Sequence, residues 1–242
     1  MIAIYKRELK SFFTTPIGYV YIAMFWAISS FVFCLFTFLA GAEARVSNYF
    51  TAEIIVIVLM TPLLTMKAFS EEKKLKTEQI LLTSPVSLTG FVAAKFLASY
   101  TMFAITFLVS CINFPIMFAY LADKSNLYVY NASQALGGCI ALLLVGATFI
   151  SIGLLISALT ENQMVAAVGT LASGALLLGI TLLNNYINFA PIRVFFNWLS
   201  IYSRFTNFIK GYFDIAALIY YASFAFVCLF VTVRIYEKRR WA

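Results

Sequence analysis

The sequence predicts an all-α integral membrane protein with six transmembrane helices, and three observations carry that reading. The first is composition: of 242 residues, 63% are hydrophobic and only 11% charged, with a mean hydropathy of +0.93, whereas soluble domains carry about 25% charged residues. The second is a set of six apolar runs, each long enough for the roughly 20 residues that a bilayer core demands. The third is the distribution of charge. Basic residues gather at Lys6, Arg7 and Lys10, at Lys67, Lys73, Lys74 and Lys76, and at Arg234, Lys238, Arg239 and Arg240. The opposite connections carry chiefly Arg45, Lys124, Arg193, Arg204 and Lys210. The positive-inside bias then places both termini and the 67–90 loop in the cytoplasm, which requires an even number of spans.

Taken in order, residues 2–13 set Ile2, Tyr5, Leu9, Phe12 and Phe13 on one helical face and Lys6, Arg7 and Lys10 on another. That pattern predicts an interfacial amphipathic helix on the inner leaflet, within residues 1–15. Thr14, Thr15 and Pro16 break it, and Pro16 suits the first turn of the next helix. Span 1 covers about 17–41, and its apolar stretch is too long for a cleaved signal core of about 7–15 residues. Span 2, about 50–68, contains Pro62. Span 3, about 90–121, carries Asn113 and Pro115, which predict a kink near its outer end. Residues 122–131 read as a polar outer turn, followed by span 4 at about 132–159, a tight cytoplasmic turn at Thr160–Gln163, and span 5 at about 164–183. Span 6, about 215–235, ends in a basic and aromatic anchor from Glu237 to Trp241. Between spans 5 and 6, residues 184–214 hold apolar residues at helical spacing (Phe205, Phe208, Ile209, Tyr212) interrupted by Arg204, Asn207 and Lys210. This segment fits two short re-entrant helices on the outer side, or one amphipathic helix lying flat there. The whole chain, 1–242, forms a single membrane domain.

The chemistry that is missing is equally informative. Histidine is absent, which removes the usual general base and the commonest metal ligand. Cys34, Cys111, Cys139 and Cys228 sit inside apolar runs without metal-ligand spacing and read as small hydrophobes. No GxxxxGK[ST] or GxSxG motif occurs, and the aspartates, Asp123 and Asp214, fall at outer boundaries. No catalytic, cofactor or metal site is therefore expected, and the chain is not expected to be an enzyme. Its net charge of +7 does not argue for nucleic acid, because that needs a basic face on a soluble fold. Glu53, Lys95 and Arg234 fall near span ends, where snorkelling suffices. The span cores then hold no ionisable residue, which disfavours an ion-coupled carrier.

Two features invite a functional reading. In the 66–87 loop, Ser70 with Glu71 and Glu72 marks a helix start, and the run Thr77–Leu82 is a helical turn or two stopped by Pro85. Ile80, Leu81 and Leu82, flanked by charges, suit a groove on a cytoplasmic partner; the alternative is a solvated connector. On span 5, Thr170, Ser173, Thr181 and Asn184 fall within about 80° of arc at 100° per residue. This polar stripe is either a helix-packing seam, favoured by Gly169 and Gly174, or a substrate-facing wall.

The residues Pro62–Lys67, Phe69–Lys73 and Thr77–Ser87 resemble the ABC-2 type permeases, particularly the gliding-motility and nitrous-oxide-reductase-maturation branch. The turn Gly153–Gln163 is similar to that branch's second signature, as are the opening YKRELKSFFTTPIGYV and the closing Arg239-Arg240-Trp241. The likeness covers essentially the whole chain. Two positions depart from it: Lys67 stands where the branch usually has Arg, and Lys76 where it usually has Gly, which would permit a left-handed turn before Thr77. The resemblance implies a permease subunit of an ATP-binding-cassette transporter in the cytoplasmic (inner) membrane, in a family that mostly exports. It implies pairing with a second permease copy, identical or related, and with two separate ATPase subunits that bind ATP and Mg. The ATPase contacts would fall on Lys6, Arg7, Lys10, Glu71, Glu72, Thr77, Glu78, Ile80, Leu81, Leu82, Pro85 and Glu161. The competing readings are an ion-coupled secondary carrier and a non-transporting membrane scaffold or receptor.

Overall fold

The computed structural model describes residues 1–36, 46–76, 87–115, 132–184, 193, 196, 198 and 200–241, and among them all regular structure is helical. The helices are α1 (Ile2–Thr14), α2 (Pro16–Cys34), α3 (Val46–Thr65), α4 (Ser70–Lys74), α5 (Leu88–Ser110), α6 (Ala132–Leu159), α7 (Gln163–Asn184), α8 (Ile201–Ile209) and α9 (Ile215–Trp241). Six of them, α2, α3, α5, α6, α7 and α9, are long and apolar enough to cross a membrane. Their starts at 16, 46, 88, 132, 163 and 215 lie close to the expected ones. Residues 77–86, which hold Thr77, Glu78, Ile80, Leu81, Leu82 and Pro85, lie outside the described residues, as do 122–131 and most of 185–199.

Helix α6 is the axis of the bundle and packs on α3, α5, α7, α8 and α9. Its glycines are the reason these neighbours come so close. A Cβ on Gly138 would lie 2.5 Å from the Phe50 ring, on Gly146 2.1 Å from the Phe103 ring, and on Gly153 2.4 Å from the Thr65 hydroxyl. Small residues let membrane helices approach to van der Waals contact of their backbones. Helix α7 uses the same device, with Gly174 against Val58 of α3 and Gly169 against Ile156 of α6. Outward faces of α2, α7 and α9 keep large apolar side chains such as Phe31, Leu176 and Phe226 exposed, which suits lipid or a partner helix.

Contacts place both ends of the chain at one end of the bundle. There α1 meets α4 and α5 through ion pairs, and Tyr236 of α9 packs on Phe69 and Phe91 with ring centroids 5.1 and 6.0 Å apart. At the opposite end, Phe33, Tyr49 and Phe114 meet edge to face at 5.6–5.8 Å, and Phe50 stacks on Phe114 at 5.4 Å. Helix α5 breaks at Cys111 as Pro115 predicts: with no proline N–H for the Cys111 carbonyl, that oxygen accepts from Phe114 at 3.0 Å instead. The Cys111 and Cys139 thiols, far apart in sequence, share a hydrogen bond at 3.8 Å and form no disulfide.

The amphipathic α1 turns a slightly different face inward from the one expected. Ile4, Tyr5, Glu8 and Phe12 face α5 and its neighbours: Ile4 and Phe12 pack on the core, and Tyr5 donates to Thr101 at 3.1 Å. Ile2, at 72% exposure, and Phe13 remain outside. Helix α8 buries Phe205, Phe208 and Ile209 as the spacing predicts, but Tyr212 is 71% exposed. The cause is Gly211, at φ 84. Its N–H bonds Phe208 O at 2.9 Å and that of Tyr212 bonds Asn207 O at 3.1 Å, the paired bonds of a glycine-terminated helix. Tyr212 is thereby turned off the face. The Asp214 carboxylate then caps α9, accepting from Ala216 N at 2.9 Å and from the Asn207 amide at 3.1 Å. The Asn207 bond leads in holding Asp214 below the usual carboxylate range.

One correction concerns charge inside the bundle. Glu53 does not snorkel: it is fully buried, and neither carboxylate oxygen has a hydrogen-bond partner among the described residues. Its distance from the span end says nothing about which way it faces. Arg234, in contrast, is exposed and pairs with Glu237 at 2.6 Å.

Candidate functional site

At the end of the bundle that carries both termini, α1, α4 and α5 enclose an open cleft of about 520 Å³, with Arg7, Glu8, Lys67, Glu71, Glu72 and Lys95 on its walls. Its centre is a four-residue ion cluster. Lys95 Nζ lies 2.9 Å from Glu72 Oε1 and 3.3 Å from Glu8 Oε1, and Arg7 lies 2.7 Å from Glu8 and 3.1 Å from Glu72. Lys95 is 2% exposed on its side chain. It also donates to Ala68 O at 2.5 Å and sits over the Phe69 and Phe91 rings at 5.2 and 5.3 Å. The sequence expectation that Lys95 snorkels is therefore corrected: partners from α1 and α4 hold its charge inside. Hydrogen bonding to Glu8 raises the Arg7 guanidinium above its ordinary value, so Arg7 stays charged.

Helix α4 is bound to α6 as well as to α1. Ser157 Oγ of α6 accepts from the amides of Phe69 and Ser70, both at 3.2 Å, and donates to Met66 O at 3.3 Å. Lys73 donates to Ala158 O. Ser70 does not cap the helix, since its hydroxyl turns back to Met66 O; Ser157 supplies the capping oxygen from another helix. A helix of five residues cannot persist alone, so these anchors fix its position.

Among the expected contact residues, Arg7, Glu71 and Glu72 meet in the cleft. Lys6 and Lys10 are exposed on α1, and Glu161 is exposed in the turn between α6 and α7. On α7, Thr170 and Asn184 are buried, while Ser173 and Thr181 are half-buried. Thr170 and Ser173 bond within the helix, to Ala166 O and Thr170 O, and Thr181 reaches Ser200 at 2.8 Å. Sequence reasoning missed Glu8, Lys95, Lys73 and Ser157. Only Glu8 left a usable signal, as an acid on the face defined by Ile4, Tyr5 and Phe12.

Lys76 follows α4 in the left-handed region, at φ 56. The chain thus makes the turn for which a glycine would be suited, with a lysine. That conformation costs an ordinary residue about 1–2 kcal/mol, partly offset because glycine loses more entropy on folding. Lys76→Gly is expected to stabilise the protein by roughly 0.5–1 kcal/mol, read as a higher Tm of the purified chain; a lower Tm would show that Lys76 makes a compensating contact.

Six apolar helices around a glycine-lined axis, with an ion-paired platform at one end, define a multi-pass helical membrane protein. A family model described as ABC-2 family transporter protein matches residues 38–236, most of the chain, and the chain belongs to that family. No curated protein matches it. It is a permease subunit of an ABC transporter, a class that associates with ATP-binding-cassette ATPase partners in a bilayer.

Proposed function

We propose that this chain forms half of the translocation pathway of an exporter, pairing with a second permease copy and driven by two ATPase subunits at the end carrying α1 and α4. In this reading both termini are cytoplasmic in the inner membrane, as the basic clusters favour, and the chain falls in the gliding-motility and nitrous-oxide-reductase-maturation branch that its motifs resemble. ATP and Mg are handled by the partners, and this chain catalyses nothing itself. One observation carries the proposal. The start of the 66–87 segment is bonded to α6 through Ser157 and to α5 through Lys95, so a force on that segment reaches two spans directly. The polar stripe of Thr170, Ser173, Thr181 and Asn184 then serves as a packing seam or as pathway wall beside the second copy.

Truncating Ile80, Leu81 and Leu82 together to Ala tests the docking role. Each buried aliphatic anchor lost costs roughly 1–3 kcal/mol, so the ATPase subunits should fail to co-purify while the permease melts normally. Neutralising Lys74, which is exposed, should do far less, since surface charges are worth about 0–1 kcal/mol. Equal losses from both sets of changes would reject docking through this segment.

A further inference from the structure

Glu53 lies seven residues into α3, about 10 Å along its axis at 1.5 Å per residue. Its side chain is wholly buried, and both carboxylate oxygens lack a hydrogen-bond partner among the described residues. Among the described residues, the titratable and hydroxyl groups around it include no basic side chain. They are Tyr21 and Ser29 from α2, Tyr49 from α3 and Cys111 from the end of α5. The Ser29 hydroxyl is shared with Tyr49 at 3.2 Å, and the Cys111 thiol lies against Cys139 of α6. Helix α7 carries no titratable side chain. On α8, Arg204 is turned to the Tyr220 and Trp198 rings, at 4.3 and 6.0 Å, and Tyr202 packs on Phe205.

Among the described residues no cation faces this carboxylate, and the one hydroxyl near enough to donate to it is that of Ser29, which Tyr49 shares; a buried carboxyl without a counter-charge neutralises instead. Ionisable groups inside membrane helices are by default functional. We propose that Glu53 is a proton-binding site: it holds a proton while α2, α3 and α5 are packed as here and releases it when they part enough to admit water. The packed arrangement binds one more proton than the parted one. Its stability therefore falls as pH rises, and alkaline conditions favour the parted state. This assignment stands independently of transport direction and partners.

Infrared spectroscopy of the purified chain in lipid nanodiscs tests it directly. At neutral pH the wild type should show the carbonyl stretch of a neutral carboxylic acid, shifted by carbon-13 glutamate labelling, lost on alkalinisation and absent from Glu53→Gln. The wild type should also lose melting temperature with rising pH relative to Glu53→Gln, whose amide stays neutral throughout. No acid carbonyl in the wild type, or the same band in Glu53→Gln, would overturn the proposal. Should that variant fail to fold, dicyclohexylcarbodiimide, which adds to neutral carboxylic acids in apolar surroundings, serves on the wild type. Mass spectrometry should find the adduct on Glu53 at neutral pH and much less of it at alkaline pH; no adduct, or no pH dependence, would refute the site.

Discussion

Lys95→Met should destabilise the protein by about 3–5 kcal/mol, the cost of breaking a buried ion cluster by removing one partner, and should release α1 from the bundle. Methionine fills nearly the same volume, so little of the loss comes from a cavity. What is lost is the cation that two acids share: Glu8 from α1 at 3.3 Å and Glu72 from α4 at 2.9 Å. Arg7 remains beside both, but it is exposed and its charge is shared with water. The damage should fall on the junction of α1, α4 and α5, seen as a large drop in Tm and rapid protease cleavage after Lys6 or Lys10. Removing an acid together with the lysine, as in Lys95→Met with Glu72→Gln, should recover part of the loss, because absent charges need no partner. A double variant less stable than the single one would show that Glu72 works through some other contact.

Gly18→Ala is the second large effect, at about 3 kcal/mol, the upper end of overpacking costs. A Cβ there would stand 1.9 Å from the Phe12 carbonyl oxygen and 2.7 Å from its carbon. The obstacle is backbone rather than a side chain that can swing away, so α1 must shift relative to α2. Gly179 provides the control, since nothing lies within 4 Å of its added Cβ. Gly179→Ala should stabilise by about 0.5–1 kcal/mol, as expected for a glycine inside a helix. Equal Tm values for the two variants would dismiss the clash as the cause.

Hydropathy made the six spans legible because a bilayer imposes one requirement, length of apolar run, that a linear sequence displays openly. It could not reveal which way a residue faces. Glu53 and Lys95 sit at similar depths from the ends of their helices, yet one is enclosed with no counter-charge among the described residues and the other is held by acids from two elements. Span position alone suggested water for both. The platform was legible in part: Arg7, Glu71 and Glu72 were marked as contact residues, but Ser157, which caps α4 across 87 residues of sequence, lay in an apolar helix as an unremarkable hydroxyl. At Tyr212 the helical spacing was correct and the termination was missed, because with a single glycine at 211 the helix ends at Ile209, three residues short of Tyr212.

Helix α6 meets a bulky neighbour at three levels along one side, with Phe50 over Gly138, Phe103 over Gly146 and Thr65 over Gly153. Each of those neighbours occupies space that any side chain on α6 would need, so rotating α6 about its own axis would bring larger residues into all three notches at once. Sliding by one turn would do the same. The motion left to it is to tilt as a rigid rod with α3 and α5 keyed to its flank. A displacement applied near Ser157 would then arrive at Gly138 as a sideways swing at the far end of a lever, never as a screw.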